Sequence, residues 1–381
     1  MARIPTFAIL TLGFCLAQAA LANEPAATPA AAPAATSPAA AAPATPPAPV
    51  EVPIPAVIPA ATTEQIQQTV DRATAYIRTE SASWLNTRGC AACHHLPLPL
   101  WALGEADRQG YTVDKKYVTE TIERLLGSKE KLLASRIFPD PASPPDPRPQ
   151  GRGLNMGLPF LAVAARAQTS LEENQKQSLQ LIADEIVSKQ QADGSWEFFA
   201  GLRRPPVNEN QTVDHVWIMM ALAGETGPDS PEPQRAALAK ATAWLAAATL
   251  PDTTQDKAFK LLLAARAGKS RDDMKATIDE LLALQRADGG WAQLPELKSD
   301  AYATGQVLYI LSLLGFKADQ QEIKRAIDFL VVMQRDDGRW PMLSRSTPDG
   351  SPGSSKLLTP IECSAASWAT LGLVKLVPKN H

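Results

Sequence analysis

The chain has very little cysteine and histidine, with four of each among 381 residues. Cys15 falls in an apolar stretch at the N-terminus, which leaves Cys90, Cys93 and Cys363 for the rest of the protein. An odd number of cysteines argues against a disulfide framework. A net charge of −3 without a basic stripe argues against nucleic-acid binding. After the first 22 residues no apolar run is long enough to span a bilayer.

The first 62 residues predict an export signal and a linker. Arg3 gives a positive start, residues 7–20 are apolar, and Ala22 ends a small-x-small cleavage site. We therefore expect cleavage after Ala22 and a periplasmic or secreted protein that does not span the membrane. Residues 23–62 are almost wholly Ala, Pro and Thr, and such a segment buries too little apolar surface to become ordered. A disordered linker is thus expected before one domain at residues 63–381.

Two of the remaining cysteines stand in a C-x-x-C-H motif at residues 90–94. This is the pattern on which c-type haem is attached, each thiol forming a thioether to one vinyl group. In that interpretation Cys90 and Cys93 hold haem c covalently and His94 is the proximal iron ligand. The predicted export agrees with it, since such attachment occurs outside the cytoplasm. The motif predicts a redox role, either electron transfer with a periplasmic partner or haem-assisted chemistry.

A distal iron ligand has to come from elsewhere in the chain. His95 cannot bind the same iron as His94, because adjacent side chains point apart. His215 is the leading candidate and Met156 the second, whereas His381 lies at a terminus that we expect to be frayed. Without a distal ligand the iron would be five-coordinate and open to small molecules.

Two other interpretations of the motif remain open. In the first, the two thiols of the motif and either His94 or His95 are joined by Cys363 in a tetrahedral zinc site. The protein would then be a zinc-stabilised binding or scaffold domain. In the second, the cysteines form a thiol–disulfide switch, although the flanking sequence does not indicate a thioredoxin-like strand–helix unit.

Three segments of the domain repeat one another in the pattern Q-x-x-D-G-x-W. They end at Trp196, Trp291 and Trp340, and each follows a stretch with apolar residues three and four positions apart. Asp-Gly ends the helix, because glycine tolerates the left-handed conformation needed there. The tryptophan is then expected to pack over the helix end. The last two tryptophans are 49 residues apart and the first two 95, close to two such units, which indicates helix pairs in a repeat array.

Degenerate copies bring the number of helix pairs to six. Residues 65–81 with 98–109 form the first pair, residues 117–135 with 154–168 the second, and residues 236–249 with 256–267 another. The Q-x-x-D-G-x-W segments resemble the glutamine–tryptophan motifs of squalene–hopene cyclases and prenyltransferase-type toroids. The resemblance implies an all-α fold in which six helix pairs close into a double-walled (α/α)6 toroid. It also suggests a hydrophobic, terpenoid-like small molecule as a ligand.

The resemblance does not supply the reaction of the cyclases, because the chain lacks their Asp-x-Asp-Asp acid motif. If the six pairs form a ring, the starts of all second helices face one end. Asp214, His215 and Asp300 near these starts are candidates for general acid–base roles in a cyclase-like or hydrolytic enzyme. Equally, the carboxylates could be helix caps and His215 a hydrogen-bonded core residue. Residues predicted to share this end also include Asn155, Tyr302 and Glu362.

Overall fold

The computed structural model of the protein describes most of residues 54–379. The described residues are 54–55, 57–88, 95–134, 153–197, 205–207, 209–223, 231–248, 253–343, 345 and 355–379. The predicted signal, most of the linker, and Cys90, Cys93, His94 and His381 lie outside them. Among the described residues, no helix combines the length and apolar character needed to cross a bilayer.

The regular secondary structure of the described residues is α-helical. The one β feature among them is an isolated bridge between Gln190 and Trp196. The helices are α1 (Thr63–Arg88), α2 (Pro97–Arg108), α3 (Lys115–Leu126), α4 (Lys129–Ala134), α5 (Gly157–Arg166), α6 (Glu173–Ser188), α7 (Gln211–Ala223), α8 (Glu232–Ala247), α9 (Thr254–Arg266), α10 (Lys275–Ala283), α11 (Ala301–Leu313), α12 (Gln321–Met333) and α13 (Ser355–Leu376).

The helices form two concentric layers. Helices α2, α5, α7, α9, α11 and α13 contact one another in that order, and α13 also packs on α2, which closes an inner ring. Helices α1, α3, α6, α8, α10 and α12 lie outside it, each preceding its inner partner in the chain. The predicted all-α toroid of six helix pairs is therefore confirmed.

The residue patterns of the helices explain which layer each one occupies. Outer helix α3 buries only one stripe, at positions 118, 121, 122, 125 and 126, as an amphipathic surface helix does. Inner helix α11 is buried at every position from Ala301 to Leu311. A helix that is apolar all round has to be covered on all sides, so α11 belongs to the inner ring.

The three glutamine–tryptophan motifs make the same set of hydrogen bonds. The indole Nε1 of Trp196, Trp291 and Trp340 donates to a carbonyl of the preceding helix at 2.7–2.8 Å. The glutamine amide of each motif spans two carbonyls, one in its own turn and one on the next outer helix. We call this arrangement the glutamine staple.

The third glutamine staple closes the ring. Gln334 Nε2 donates to the carbonyl of Gly338 at 3.2 Å and to that of Thr69 in α1 at 2.9 Å. Gly338 has φ +86°, and a Cβ there would lie far inside van der Waals contact with the Arg72 carbonyl oxygen. Glycine is therefore required at this position for two reasons, the positive φ of its backbone and the close approach of α1.

Aromatic rings fill the axis of the inner ring. Their centroids lie 4.4–6.3 Å apart, mostly edge-to-face or tilted, and each residue is at most 5% exposed. A water-sized probe thus hardly touches them, and a hydrophobic ligand on the axis would have to displace them. The rings belong to Trp101, Phe160, Trp217, Phe259, Tyr302, Tyr309 and Trp368.

The structure differs from the sequence expectations in two places. The predicted helix 117–135 is interrupted at Gly127, which ends α3 before the short α4 begins. The described end of the expected linker contacts the domain: Ile54, Ile58 and Ala61 pack on the core, and the Ala61 amide donates to Asp328 Oδ1 of α12 at 2.7 Å.

Substituting Gly338 tests whether the third staple holds the ring closed. We expect Gly338→Ala to lower the free energy of unfolding by more than Gly268→Ala. Both glycines have positive φ, so each alanine costs about 1–2 kcal/mol of backbone strain. Only position 338 adds a clash with α1, since nothing lies within 4 Å of a Cβ at Gly268. Urea unfolding measures both losses, and equal losses would contradict the role given to the staple.

Candidate functional site at the ring seam

In the sequence, the C-x-x-C-H motif lies between α1 and α2, the two helices of the first pair, which packs against the last pair. Helix α1 ends at Arg88 and α2 begins at Pro97, and the motif residues themselves lie outside the described part of the chain. The residues directly before and after residues 89–94, Arg88 and His95, belong to the described part of the chain.

The two flanks of the motif are held together by an aromatic stack. The ring of His95, which follows the motif, lies 3.8 Å from that of Trp84 near the end of α1, with an interplanar angle of 7°. His95 is completely buried, and its Nε2 is 3.5 Å from Glu80 Oε1. The pair of Trp84 and His95 thus anchors the described residues on both sides of the motif.

Helix α13 brings Cys363 to the same seam. The thiol is buried, and burial raises its pKa, as do the nearby charges of Glu80 and Glu362. The charge of Glu80, whose Oε1 is 3.5 Å from His95 Nε2, thus also acts on Cys363. Glu362 forms an ion pair with Arg339 Nη1 at 3.0 Å, which opposes the rise in its carboxyl pKa caused by burial. The association of Glu362, Cys363 and His95 in one functional site stays a prediction.

No group of three or more His, Cys, Asp or Glu side chains able to hold a metal occurs within the described residues. Of the zinc candidates, His95 and Cys363 belong to that part of the chain, and the motif residues do not. The donor set of the motif, two thiols and an imidazole at C-x-x-C-H spacing, fits covalent haem attachment. It fits a sulfur–nitrogen zinc site only with a fourth ligand.

His215 has both ring nitrogens engaged by the main chain. Nδ1 is 2.7 Å from the Gln211 carbonyl, and Nε2 accepts from the Trp196 amide at 3.2 Å. The ring stacks on Trp244 at 3.9 Å and is completely buried. Burial lowers the pKa of His215 to about 4. This is the geometry of the core histidine that the sequence left as the alternative to a distal ligand or a catalytic base.

The other candidates from the second and third pairs have simpler surroundings. Met156 precedes α5 and is partly buried against the core. Asn155 Oδ1 accepts from the Gly157 amide at 2.9 Å and so supports the same helix start. Asp214 is buried in the first turn of α7, where a negative charge interacts favourably with the helix dipole.

Asp300 and Tyr302 belong to a second polar cluster, which we call the mouth network. Asp300 caps α11 by accepting from the Ala303 amide at 2.9 Å. Tyr302 donates from its hydroxyl to Gln255 Oε1 at 2.9 Å, and Gln306 Nε2 donates to the same oxygen at 3.0 Å. The mouth network consists of Glu209, Asn210, Gln255, Asp256, Gln293, Asp300, Tyr302, Gln306 and Arg345.

Arg345 ties the mouth network together. Its Nη1 donates to Glu209 Oε1 at 2.7 Å, and its Nε donates to Gln293 Oε1 at 2.8 Å. Burial raises the pKa of Asp300 to about 6, although the Ala303 amide, Gln293 and the charge of Arg345 oppose the rise. Sequence reasoning missed Glu209, Gln255 and Arg345. The one available signal was the number of Gln and Asp residues next to inner-helix starts.

No protein-family model matches the chain, and no curated protein matches it. Solved structures similar to it include two with almost the same coverage. One is a type II terpene cyclase, MstE_D109A from Scytonema, in complex with merosterolic acid A as product: 16% identity, TM-score 0.48, covering 83% of this chain and 98% of that chain. The other is described as UGL_D88N/dGlcA-Glc-Rha-Glc: 15% identity, TM-score 0.48, covering 82% of this chain and 96% of that chain. Neither likeness carries a function to this chain.

The pH dependence of stability tests the buried neutral state of His215. Its pKa is about 4 when folded and about 6.5 when unfolded, so the unfolded chain binds more protons between these values. This contribution, on the order of 3 kcal/mol, is complete above pH 6.5 and is lost as the pH falls to 4. We expect the difference between wild type and His215→Gln to shrink over that range in urea unfolding. A stability difference between wild type and His215→Gln that does not change with pH would contradict the buried neutral state of His215.

The contribution of Asp300 to stability changes with pH in the opposite direction to that of His215, because folding raises the pKa of Asp300. The folded state disfavours the carboxylate, so Asp300→Asn should be more stable than wild type at pH 8 by about 1–3 kcal/mol. The gain should vanish as the pH falls to 4, and asparagine keeps the helix cap. Asp273→Asn is the control: hydrogen bonds from Ser270 lower the pKa of Asp273, so that variant should lose stability at pH 8. A loss in both variants would contradict the burial of Asp300.

Proposed function

We propose that the chain is an exported haem protein in which Cys90 and Cys93 hold one haem c and His94 is the proximal ligand. Its function would be redox work outside the cytoplasm. The observation that carries the proposal is the C-x-x-C-H sequence in the connection between α1 and α2, behind a predicted export signal. The haem would supply one-electron chemistry at the iron.

The contacts of His95 support His94 as the iron ligand. The ring of His95 is buried between its partners, stacked on Trp84 with Nε2 toward Glu80. Since neighbouring side chains point to different sides, iron bound by His94 would leave the stack of His95 on Trp84 intact. The fixed flanks also reduce the freedom that the connection loses when both thiols are tied to one porphyrin.

Met156 becomes the remaining candidate for the sixth iron position. Both nitrogens of His215 bond to the main chain, so ligation through either nitrogen would break a buried hydrogen bond. Met156 precedes α5, the inner helix next to α2, and so lies at the same end of the ring as the start of α2, which the motif precedes in the sequence. Methionine with histidine is a ligand pair of electron-transfer cytochromes. Electron transfer is therefore the form of redox work that we favour.

A zinc-stabilised scaffold is the second candidate function. The observation in its favour is that Cys363 and His95, from the last and first helix pairs, both lie near Glu80. A metal held by these residues and the motif would join the two ends of the ring, as structural zinc sites do. Such a protein would need no substrate.

Replacing the motif cysteines tests the haem assignment. Wild type exported from cells with a haem-attachment system should show a Soret band, and its tryptic fragment containing residue 90 should carry the mass of haem. Cys90→Ala/Cys93→Ala should lose both signals, because thioether attachment needs the thiols. Cys363→Ala is the matched control and should keep them.

The same preparations separate the two candidate functions. Colourless wild-type protein with one zinc per chain, lost in Cys363→Ala, would overturn the haem assignment in favour of the scaffold. Protein with neither haem nor zinc would overturn both. Met156→Ala should shift the haem spectrum, whereas His215→Gln should leave it unchanged.

A further inference from the structure

A partly open cleft lies between the first two helix pairs, at the end of the ring opposite to the starts of the inner helices. It is bounded by the last turns of α2, by α3 and by the segment that leads from α5 into α6. Every residue that lines it belongs to the described part of the chain. Its volume is about 150 Å³. A cavity of about that volume holds benzene, so the cleft has room for about six carbon atoms.

The floor of the cleft is apolar. Leu103 of α2 and both Val118 and Ile122 of α3 line it, and each of them is at most 8% exposed. Such a surface binds the hydrocarbon part of a ligand through the hydrophobic effect, without directional contacts. The ligand therefore needs an apolar part that fits this volume.

Asp107 and Gln168 present hydrogen-bond acceptors in the lining of the cleft. The side chain of Asp107 is 17% exposed. The amide nitrogen of Gln168 already donates to the carbonyls of Leu100 at 3.1 Å and Ala164 at 2.8 Å, which leaves its oxygen for a ligand. A carboxylate and an amide oxygen accept hydrogen bonds and donate none. The polar part of the ligand therefore has to donate.

The charges of the lining favour a cation. Asp107 and Glu172 supply two carboxylates, and Lys115 is the only cation among the lining residues. Lys115 Nζ is 2.8 Å from Asp107 Oδ1, but the lysine side chain is 73% exposed. An ion pair this exposed contributes little, so Lys115 can turn into solvent and give way to a ligand. The start of α6, which would attract an anion, is already covered by its capping box of Glu172 and Gln175.

We infer that the cleft is a binding site for a small primary amine. The ammonium group of the ligand donates to Asp107 and Gln168 in place of Lys115, and a hydrocarbon part of up to about six carbon atoms covers the apolar floor. Asp107 belongs to the last turn of α2, whereas the cysteine motif precedes the first turn in the sequence. The inference therefore stands whether or not haem is attached.

Calorimetric titration of the full exported protein with three six-carbon probes tests the selection by charge. The probes are n-hexylamine, which is an ammonium ion at neutral pH, and n-hexanol and n-hexanoate, which have the same chain length. Hexylamine should bind more tightly than hexanol by roughly tenfold, because only the ammonium forms a charge-assisted hydrogen bond to Asp107. Hexanoate should not bind. Failure of hexylamine to bind, or binding of either comparator with equal or higher affinity, would overturn the inference.

Two substitutions in the cleft should have opposite effects on hexylamine binding. Asp107→Asn should weaken it roughly tenfold, because the amide has no charge to pair with the ammonium. Lys115→Gln should strengthen it about two- to fivefold, because the competing ammonium is removed. Lys116→Gln is the matched control. Lys116 is 83% exposed, pairs with Glu120 and does not line the cleft, so its loss should leave the affinity unchanged.

Circular dichroism establishes the fold of each variant before titration. If Asp107→Asn does not fold, Lys115→Gln carries the test, since it alters a side chain that is mostly in solvent. An unchanged affinity in folded Asp107→Asn would sink the inference, as would an unchanged or lower affinity in Lys115→Gln. An equal gain in Lys116→Gln would do the same, because it would trace the effect to the overall charge of the protein.

Discussion

The ring depends on one repeated interaction, the glutamine amide that spans a turn carbonyl and a carbonyl of the next outer helix. In a chain of helix pairs, each pair buries its apolar surface only against its neighbours. The staple fixes the distance and angle between neighbours at three of the junctions. Its third copy, Gln334 on Thr69, joins the last outer helix to the first. Without that junction the apolar inner helices α2 and α13 would lose part of their cover.

Closure of the ring also decides where chemistry can occur. The rings of Trp101, Phe160, Trp217 and Phe259 all lie within the first two turns of their helices and meet on the axis. Those helix starts therefore share one end of the toroid. Because the axis is filled by these rings, the two polar clusters described above lie beside it, in the connections and in the helices next to them. At the seam Glu362 and Cys363 belong to α13, and in the mouth network Gln255 belongs to α9 and Gln306 to α11.

The sequence predicted the fold well because the turn that carries each staple is encoded locally. Gln285, Gly289 and Trp291 make hydrogen bonds within one turn and the helix before it, so their spacing predicts that geometry. The second bond of each staple is not local, since Gln334 reaches Thr69 across 265 positions. The clusters are different in kind. Arg345 meets Glu209 across 136 positions, and no spacing rule connects them. The state of His215 was equally hidden, since it depends on Trp196 and Trp244 in other elements.

The residues that flank the cysteine motif bear on where the proposed cofactor could be attached. The completely buried ring of His95 stacks on the partly buried ring of Trp84 in α1, so the described residues on both sides of the motif are anchored in the fold. Loops held by a rigid scaffold can carry reactive side chains while the helices keep their packing. The three staples follow α6, α10 and α12 in the chain, at other connections of the repeat. Under the proposal, haem attachment would therefore alter one connection and leave the hydrogen bonds of the staples in place.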